Sequence, residues 1–378
     1  MNKQKVCIIG TGLTSLVTAI VLAKCGLFVE IIKDKDNSGK RNVSKIRSIA
    51  FSNSSFSFLK KLNIFNFNSK FIWSVTEIRI YNLTKNFKLK EIFKFSKKDT
   101  ILYMLLNKFL FREIKKKIKK IKIKKFKKNI YINDLISQNK YNLVINCTGP
   151  NSSVTKSFFS KHKTNFKYNE VAVVACVKHL PVKNNVARQI FLKEGPLALL
   201  PISNTKTSIV WSLKKKYLSD ELKKRNKFVK YNLKIYLSTF LKIKSISTFE
   251  YNEINFLISN TYYSYRFLNF GDALHQVHPF VGQGFNMILR DLFIFEKILK
   301  SKIKLGLDIG DQTVLDEFSK KRKSQNFAFV IGIDFLKNFF YIKNNFLKKI
   351  RNFILKKVNK NIFIKKKLFK IANEGLNF

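Results

Sequence analysis

Two segments of the sequence combine residue types and spacings that could do chemistry, and the first is residues 10–15. These residues read Gly-Thr-Gly-Leu-Thr-Ser and lie between a short β-branched run and an apolar stretch with helical spacing. This is a G-x-G-x-x-S version of a dinucleotide fingerprint, in which Gly10 and Gly12 let the backbone approach a pyrophosphate at a helix N-terminus. Ser15 is small enough for that helix to pack closely on the strand. An ordinary tight turn without a ligand is the alternative interpretation.

A dinucleotide fingerprint is usually followed, about 20 residues later, by an acidic residue that binds ribose hydroxyls. Here Lys33 ends the second predicted strand and Asp34 follows it. We expect Asp34 to bind the ribose through a shift of one residue in register.

The second segment is residues 271–286, which read Gly-Asp-Ala-Leu-His-Gln-Val-His-Pro-Phe-Val-Gly-Gln-Gly-Phe-Asn. Asp272 follows a predicted strand, where a carboxylate can accept hydrogen bonds from ribityl or ribose hydroxyls. The glycine-rich turn enters a helix and so directs backbone N–H groups at an anionic ring or phosphate. We predict no metal site at His275 and His278, because no third carboxylate or thiolate is suitably spaced and Pro279 breaks the helix that their spacing requires.

These segments must be positioned by the elements around them. Residues 6–9, 13–24 and 28–32 have the pattern of a strand, a helix and a strand, which is a βαβ unit. An apolar strand at 141–147 is closed by turn residues at 148–152. The remaining predictions are short strands over 71–89, strands at 171–177, 197–201, 208–213 and 267–270, single helices over 47–65 and 101–128, and helices at 284–300 and from 315 onward.

Length and composition bound the class of protein. The chain has 378 residues, 46% of them hydrophobic and 38 of them Phe, which favours about two folded domains and excludes a disordered chain. The net charge of +51 comes from Lys spread along the whole chain. Because the Lys accompanies abundant Ile, Asn and Phe and no nucleic-acid motif occurs, we interpret it as codon bias and predict no specific nucleic-acid partner.

Cysteine usage and hydropathy bear on the compartment. The four cysteines lie far apart without a C-x-x-C pair, which indicates neither a zinc site nor a disulfide framework and favours a reducing compartment. The first 27 residues contain no convincing signal peptide, because polar and glycine residues interrupt their apolar stretch. No run of 18 apolar residues predicts a transmembrane helix.

Residues 271–291 resemble a known family motif, GDAAHxxHPxxGQGxNxxxxD. It belongs to the flavin-dependent aromatic hydroxylases (class A monooxygenases), and within them to the ubiquinone-biosynthesis hydroxylases. Its ending, Gly-Phe-Asn-Met-Ile-Leu-Arg-Asp, is most similar to the UbiH-type branch, the polyprenyl-methoxyphenol hydroxylases. Further similarities follow in family order: residues 47–52 resemble R-x-x-A-L-S, residues 195–201 before Trp211 resemble G-P-x-A-L-L-P, and residues 332–336 and 350–352 resemble the C-terminal helices.

The resemblance implies an α/β fold in three parts. The first is a discontinuous Rossmann-like FAD-binding domain built from residues 1–71, 97–160 and 266–318. A substrate domain with a mixed β-sheet comprises 72–96 and 161–265, and a C-terminal helical region comprises 319–378.

The resemblance also implies a reaction. An FAD-dependent monooxygenase would hydroxylate the aromatic ring of a polyprenyl phenol in ubiquinone biosynthesis, through a peroxyflavin formed from reduced FAD and O2, with NAD(P)H, for example NADPH, as electron donor. Pro279 and His278 would lie at the ring where oxygen is activated; a hydrogen bond within its own turn is the alternative for His278. The implied cofactor-binding residues are Gly10, Gly12, Ser15 and Asp34 at the dinucleotide end, Arg47 and Asp272 along the pyrophosphate and ribityl chain, and Gly282, Gln283, Gly284, Phe285 and Asn286 at the pyrimidine side. Substrate walls or core positions are implied for Phe191, Leu199 and Trp211.

The sequence departs from the family at 147–155. Thr148 stands where the motif A-D-G-x-x-S-x-x-R has Asp, and Thr155 stands where it has Arg. In the family, that Asp is associated with the flavin pyrophosphate and with pyridine-nucleotide handling. Three further interpretations therefore stay open: another aromatic-ring flavin monooxygenase, a separate electron donor, and a non-catalytic scaffold of a quinone-biosynthesis assembly.

A polyprenyl substrate suggests a second interpretation of the basic surface, because such a substrate resides in a membrane. Clustered Lys is attracted to anionic lipid, so we expect peripheral contact with the cytoplasmic face of the inner membrane and a cytoplasmic location. The Lys-rich run at 115–128 and the apolar stripe at 346–369 are the candidate surfaces. Other quinone-biosynthesis enzymes are the expected protein partners.

Overall fold

The computed structural model describes residues 3–33, 46–66, 69–84, 88–121, 123–126, 140–150, 152–159, 163–279, 282–342 and 344–376. The described strands are β1 (Lys5–Ile9), β2 (Phe28–Ile32), β3 (Ser48–Ser52), β4 (Ile72–Val75), β5 (Glu77–Leu83), β6 (Leu89–Ser96), β7 (Leu102–Leu106), β8 (Lys124–Phe126), β9 (Leu143–Asn146), β10 (Lys163–His179), β11 (Val186–Phe191), β12 (Pro196–Ser203), β13 (Lys206–Lys214), β14 (Ile243–Ile246), β15 (Glu250–Ser259), β16 (Tyr263–Ser264), β17 (Phe267–Asn269) and β18 (His275–Gln276). The described α-helices are α1 (Leu13–Lys24), α2 (Asn53–Lys61), α3 (Asn107–Lys120), α4 (Ser153–Phe159), α5 (Leu222–Ser238), α6 (Gly284–Lys304), α7 (Gln312–Phe340), α8 (Asn345–Lys360) and α9 (Ile362–Glu374). The prediction of an α/β fold is confirmed.

The first sheet has six strands in the order β16-β17-β9-β1-β2-β8. From β17 to β8 all neighbours are parallel, so the carboxyl ends of these strands share one edge. The chain runs outward from β1 to β2 on one side, whereas β9 pairs with β1 on the other. In open α/β sheets such a reversal leaves a crevice at the carboxyl ends of the strands, where ligands bind.

The predicted βαβ unit is confirmed over β1, α1 and β2. Val6, Cys7 and Ile8 are fully buried, as expected for a strand covered on both faces. Helix α1 is buried along most of its length and packs with α3 and α6 in the main hydrophobic core. The βαβ unit is therefore anchored in the main core.

The second sheet has nine strands, and only the pair β5–β11 in its main path is parallel. One face packs on α5, and that core includes Leu199 and Trp211. Phe191 lies on the opposite face and stacks on Phe340, with ring centroids 4.4 Å apart. Of the three residues considered as substrate walls, Leu199 and Trp211 are thus core residues on the α5 side.

Two predicted helices are wrong over part of their length. The range 47–65 contains β3 before α2, and the described part of 101–128 contains β7 before α3 and β8 after it. Strand β7 is central in a third, three-stranded sheet, β3-β7-β4. Short apolar runs fit a strand as well as a helix, and antiparallel pairing between β3 and β7 decides in favour of strands.

The C-terminal region is helical from α7 to α9, which confirms the prediction from residue 315 onward for the described part. Among the described helices, none combines the length and mean hydropathy needed to cross a membrane.

Candidate functional site

Gly10 follows β1 and lies against both the residue after β9 and the first turn of α1. Its φ of 118° lies in the region that favours glycine, and its N–H donates to the Ile32 carbonyl at 2.8 Å. A Cβ at this position would come within 2.9 Å of both the Cys147 carbonyl oxygen and Ser15 Oγ. The fold itself therefore requires glycine here.

Gly12 occupies the N-cap position of α1 with an ordinary φ of −75°. No side chain of the described residues caps this helix, and its first turn has no acidic residue. A Cβ on Gly12 would meet no described atom within 4 Å. The positive end of α1 thus opens onto space where an anion can be bound.

The second motif begins against the same helix end. Gly271, with a φ of 69°, approaches α1 so closely that a Cβ would lie 2.6 Å from Thr14 Cγ2. The Phe270 N–H donates to the Asn146 carbonyl at 2.9 Å, which places the turn at the end of β9. Asp272 is exposed in this turn. The structure therefore brings Gly10, Gly12 and Asp272 to one edge, as the sequence predicts.

The N-terminus of α6 forms a second open helix end. Gln283 holds the N-cap position, and within the described chain no side chain caps the helix. The Gln283 Oε1 instead accepts from Arg290 Nη2 at 2.6 Å. Gly282, with a φ of 63°, turns beside Ala50 of β3, where a Cβ would lie 3.5 Å from the Ala50 Cβ. Gly284 follows as the first helical residue.

Asn286 fixes this turn to β3. Its amide donates to the Ala50 carbonyl at 2.9 Å and to the Gly282 carbonyl at 3.1 Å, and its Oδ1 accepts from the Ser52 N–H at 3.1 Å. The ring of Phe285 packs edge-on against Phe51. The Asn286 side chain is thus occupied by the protein, which indicates a positioning role.

Arg47 immediately precedes β3 and is exposed. Its carbonyl accepts from the Asn107 N–H at 2.9 Å, which joins β3 to the start of α3. Of the remaining predicted residues, Ser15 is buried beside Gly10, Pro279 is half-buried, and Asp34 lies outside the described residues.

His278 is buried and bonded outside its own turn. Its Nε2 lies 2.7 Å from Glu170 Oε2 of β10, and Lys337 of α7 pairs with Glu170 Oε1 at 3.1 Å. The ring of Tyr168 packs against His278 and lies under the Lys337 ammonium, 3.9 Å from the ring centroid. This partner is 108 residues away in the chain, and sequence reasoning did not foresee it. The hydrogen bond of His278 within its own turn stays a prediction.

Sequence reasoning missed Glu170, which precedes an apolar stretch, and Lys337, which interrupts one. Burial lowers the pKa of His278, although the hydrogen bond to Glu170 acts in the opposite direction. Burial opposes ionisation of Glu170, but the hydrogen bond from His278 and the charge of Lys337 outweigh it and lower the pKa of Glu170. At neutral pH this places a neutral imidazole beside a paired carboxylate.

A second buried network holds the start and the body of α6. Asp291 is fully buried; its carboxylate lies 2.7 Å from His275 Nε2 and accepts from Arg322 Nε at 2.6 Å and from Asn326 Nδ2 at 3.0 Å. Burial opposes ionisation of Asp291, but Arg322 and the His275 hydrogen bond lower its pKa to about 2. His275 belongs to β18, which pairs with β15 of the second sheet. This network therefore joins α6 and α7 to the second sheet.

The residues that depart from the family motif form a neutral cluster at the end of β9. Asn146 accepts from the Thr148 hydroxyl at 2.6 Å and donates to Thr155 Oγ1 and Asn269 Oδ1 at 2.8 Å each. The Ser152 hydroxyl contacts both Thr148 and Thr155. The hydroxyls of Thr148 and Thr155 are thus both hydrogen-bonded to Asn146 and Ser152. In the family motif, charged residues stand at these two threonine positions.

These residues fit an anionic dinucleotide cofactor. A Cβ would collide with the chain at Gly10 and would extend into open space at Gly12. Two helix N-termini present backbone N–H groups that no side chain of the described residues caps. Neither first turn carries an acidic residue that would repel a phosphate. In the part of the chain that the structure describes, no group of three His, Cys, Asp or Glu residues could hold a metal.

Curated relatives match the chain over about half their own length. The mitochondrial ubiquinone biosynthesis monooxygenase COQ6 of Xenopus tropicalis is 28% identical over 268 residues, which cover 61% of this chain and 57% of the relative. Ubiquinone hydroxylase UbiL of Rhodospirillum rubrum is 28% identical over 199 residues, which cover 52% of this chain and 46% of the relative. The predicted resemblance to ubiquinone-biosynthesis hydroxylases is confirmed by these matches.

Solved structures share the fold over the whole chain. The p-nitrophenol 4-monooxygenase PnpA of Pseudomonas putida has a TM-score of 0.78 at 14% identity and covers 100% of this chain and 99% of its own. A variant of HpxO from Klebsiella pneumoniae, complexed with FAD, has a TM-score of 0.73 at 13% identity and covers 98% of this chain and 99% of its own. The family model for squalene epoxidase matches residues 140–368, which are more than half of the chain. The chain therefore belongs to the squalene epoxidase family.

Proposed function

We propose that this protein is an FAD-dependent monooxygenase that hydroxylates the aromatic ring of a polyprenyl phenol in ubiquinone biosynthesis. The observation that carries the proposal is the meeting of Gly10, Gly12 and Asp272 at the switch point of the first sheet, beside a segment that leads to the open end of α6. The names of the COQ6 and UbiL relatives support the pathway.

The cofactor-binding groups divide between the two helix ends. The pyrophosphate of FAD would lie on the N-terminus of α1, with Gly10 and Gly12 below it and Asp272 on the ribityl side. Asp34 and Arg47 are proposed for the ribose and for the pyrophosphate or ring edge. The backbone of residues 282–286 would face the pyrimidine side of the ring, where the positive end of α6 stabilises negative charge.

FAD, when bound, supplies the oxygen-transfer chemistry. Pro279 is proposed to border the ring and exclude water from it, while His278, held neutral by burial, positions this turn against β10. In the overall balance one oxygen atom of O2 enters a ring C–H bond as a hydroxyl. The other oxygen leaves as water with two electrons and a proton from NAD(P)H and one further proton.

The domain division inferred from the sequence remains part of the proposal. Five of the six strands of the first sheet fall within residues 1–71, 97–160 and 266–318, and β16 at the sheet edge lies just before residue 266, which supports the assignment of these ranges to the FAD-binding domain. Strands from 72–96 and 161–265 supply most of the second sheet, to which β18 of the FAD-binding segment adds an edge. The region 319–378 would be the helical C-terminal part, and the whole protein would act as a peripheral enzyme at the cytoplasmic face of the inner membrane, near other quinone-biosynthesis enzymes.

The neutral cluster at Thr148 and Thr155 favours a second candidate, a flavoprotein reduced by a separate donor instead of NAD(P)H. Another aromatic ring as substrate remains the close alternative. A non-catalytic scaffold would bind no flavin.

The experiment is to purify the full chain and record its visible spectrum, then add NADH or NADPH without O2. Flavin absorbance that is bleached by either nucleotide, followed by hydroxylation of a polyprenyl phenol once O2 is admitted, is the expected result. Flavin that stays oxidised supports the separate donor, and colourless protein that takes up no added FAD overturns the proposal. If the enzyme turned over only phenols without a prenyl chain, the proposed polyprenyl substrate would be wrong and another aromatic compound would be the substrate.

A further inference from the structure

Arg290 is a buried cation that the proposed mechanism does not use. It lies on α6, about two turns after the N-cap residue Gln283, and it is 9% exposed. Burial and the charge of Arg322 lower the pKa of Arg290 to about 10, and Asp291 acts in the opposite direction. Arg290 therefore stays charged at neutral pH. A charge held inside a protein is stable only with a compensating partner.

Three other Lys or Arg side chains are buried in the described chain: Arg322, Lys337 and Arg351. Two of them have a carboxylate as partner, since Arg322 pairs with Asp291 at 2.6 Å and Lys337 pairs with Glu170 at 3.1 Å. No carboxylate among the described residues pairs with Arg290, whose hydrogen bonds go to neutral groups.

The direction of the Arg290 side chain makes this lack of a carboxylate more unfavourable. Helical side chains lean toward the N-terminus, and Arg290 donates from Nη2 to Gln283 Oε1 at 2.6 Å and from Nε to the Asn286 carbonyl at 3.3 Å. The guanidinium therefore lies beside the first turn of α6, at the positive end of the helix dipole. Arg351, by contrast, donates to the carbonyl of Phe340 at the C-terminus of α7, where the dipole favours a cation.

The groups that enclose the guanidinium carry no negative charge. The ring of Phe329 on α7 faces it, with the Arg290 Cζ 4.4 Å from the ring centroid. Gly375, with a φ of 87°, packs so closely that a Cβ would lie 2.7 Å from Arg290 Nη1. These contacts keep water away from Arg290. They leave its positive charge for an anion bound at the start of α6.

Gln283 carries the effect of Arg290 to the helix end. Gln283 is 4% exposed, and the hydrogen bond from Arg290 fixes the amide with Oε1 toward the guanidinium and Nε2 away from it. Within the described ranges no group accepts a hydrogen bond from that Nε2. A buried amide donor without a partner, at a helix N-terminus without a side-chain cap, is a second indication of an anionic ligand.

We infer that Arg290 is a positioning residue for the flavin: it orients the Gln283 amide and supplies buried positive charge to the pyrimidine side of the ring. This inference rests on the proposed function, in which the backbone of residues 282–286 faces that side. A nearby cation stabilises the reduced, anionic ring more than the neutral oxidised ring. Arg290 should therefore raise the midpoint potential of the bound flavin.

The test is that midpoint potential, measured on the full chain without O2 against a redox indicator dye. Arg290→Gln should shift the equilibrium roughly tenfold toward oxidised flavin, which lowers the potential of a two-electron couple by about 30 mV. Affinity for oxidised FAD should stay nearly unchanged, because the oxidised ring is uncharged. Arg290→Lys keeps the charge and should retain most of the potential near neutral pH.

Two control variants remove a cation elsewhere. Arg351→Gln removes a buried guanidinium from α8, and Lys297→Gln removes an exposed charge from α6 itself. Both should leave the potential as it is in the unchanged protein. An equal shift in Arg290→Gln and in either control would mean a general effect of charge or of destabilisation, and it would overturn the inference. An unchanged potential in Arg290→Gln would also overturn it.

Arg290→Lys decides the question if Arg290→Gln does not fold. A buried ammonium loses its proton at a lower pH than a guanidinium. The charged groups that act on this position, Arg322 and Asp291, are bound to each other. The potential of Arg290→Lys should therefore fall increasingly below that of the unchanged protein as the pH rises, and a gap that does not change with pH would contradict the inference.

Flavin binding separates this inference from the proposed function. If the unchanged chain takes up no FAD, both are wrong. If it takes up FAD and Arg290→Gln has the potential of the unchanged protein, only the role of Arg290 is wrong.

Discussion

Gly10 and Gly12 belong to one motif, but they are glycines for different reasons. At Gly10 the neighbouring carbonyl of Cys147 and the φ of 118° exclude a side chain in the protein alone. At Gly12 the backbone is ordinary and the space is open. Only a ligand at the N-terminus of α1 would make a side chain at Gly12 harmful.

Gly12→Ala should therefore separate folding from cofactor binding. We expect the free energy of unfolding without cofactor to change by less than about 1 kcal/mol, the scale of an N-cap substitution. FAD affinity should fall by roughly tenfold or more, because the methyl group occupies the approach to the pyrophosphate. Equilibrium denaturation and flavin titration measure the two effects.

Gly332→Ala is the matched control, since a Cβ there also meets no described atom within 4 Å. It should leave FAD affinity unchanged. If Gly12→Ala and Gly332→Ala had equal affinity for FAD, the proposed position of the pyrophosphate at the N-terminus of α1 would be wrong.

At His278 the pH dependence of stability has a defined sign. Burial depresses the folded-state pKa below the ordinary 6.5, so the unfolded imidazole takes up a proton first as the pH falls. The free energy of unfolding should decrease between about pH 7 and the depressed pKa, and His278→Gln should flatten that slope. Denaturation at a series of pH values tests this, and an unchanged slope in the variant would contradict it.

The residue types of the site could be read from the sequence because glycine, Asp272 and the helix ends follow local spacing rules. Glu170 and Lys337 could not, since they meet His278 only through the packing of β10 and α7 on the second motif. The same limit applies to the side chain of Asn286, because its hydrogen bonds to β3 join residues far apart in the sequence.

At the scale of elements, strands with buried neighbours on both sides were predictable, whereas β3 and β7 of the small sheet were predicted as helix. The run over β1 is continuously apolar and short, and a glycine turn bounds it. Residues of β7 continue without a turn signal into α3, so their helical periodicity extends over both. Pairing with β3 and β4, which lie far along the chain, decides the conformation.

The network around Asp291 is the strongest link between elements. Asp291→Asn would keep the shape of the side chain but leave the buried Arg322 guanidinium without its carboxylate. We expect the free energy of unfolding to fall by about 3–5 kcal/mol. Chemical denaturation provides the measurement.

Asp316→Asn is the control for that change, because Asp316 pairs with Lys320 on the exposed side of α7. It should cost less than about 1 kcal/mol. Similar losses at the two positions would show that the buried network is not the source of the stability.

For the molecule as a whole, the 74 basic residues outnumber the 23 acidic ones, and the surplus repels itself. Salt shortens the range of that repulsion, from about 10 Å at 0.1 M to about 3 Å at 1 M. We expect the melting temperature to rise with added NaCl at neutral pH. A fall would mean that the surface ion pairs contribute more than the repulsion.

The order of the first sheet also has a consequence for synthesis on the ribosome. Strand β9 lies between β1 and β17, yet residue 267 leaves the ribosome long after residue 146. At roughly 5–20 residues per second, the edge of β9 stays unpaired for on the order of ten seconds. During that interval the nascent chain exposes the hydrogen-bonding groups of an apolar strand, which makes it a substrate for chaperones until β17 arrives and seals the sheet.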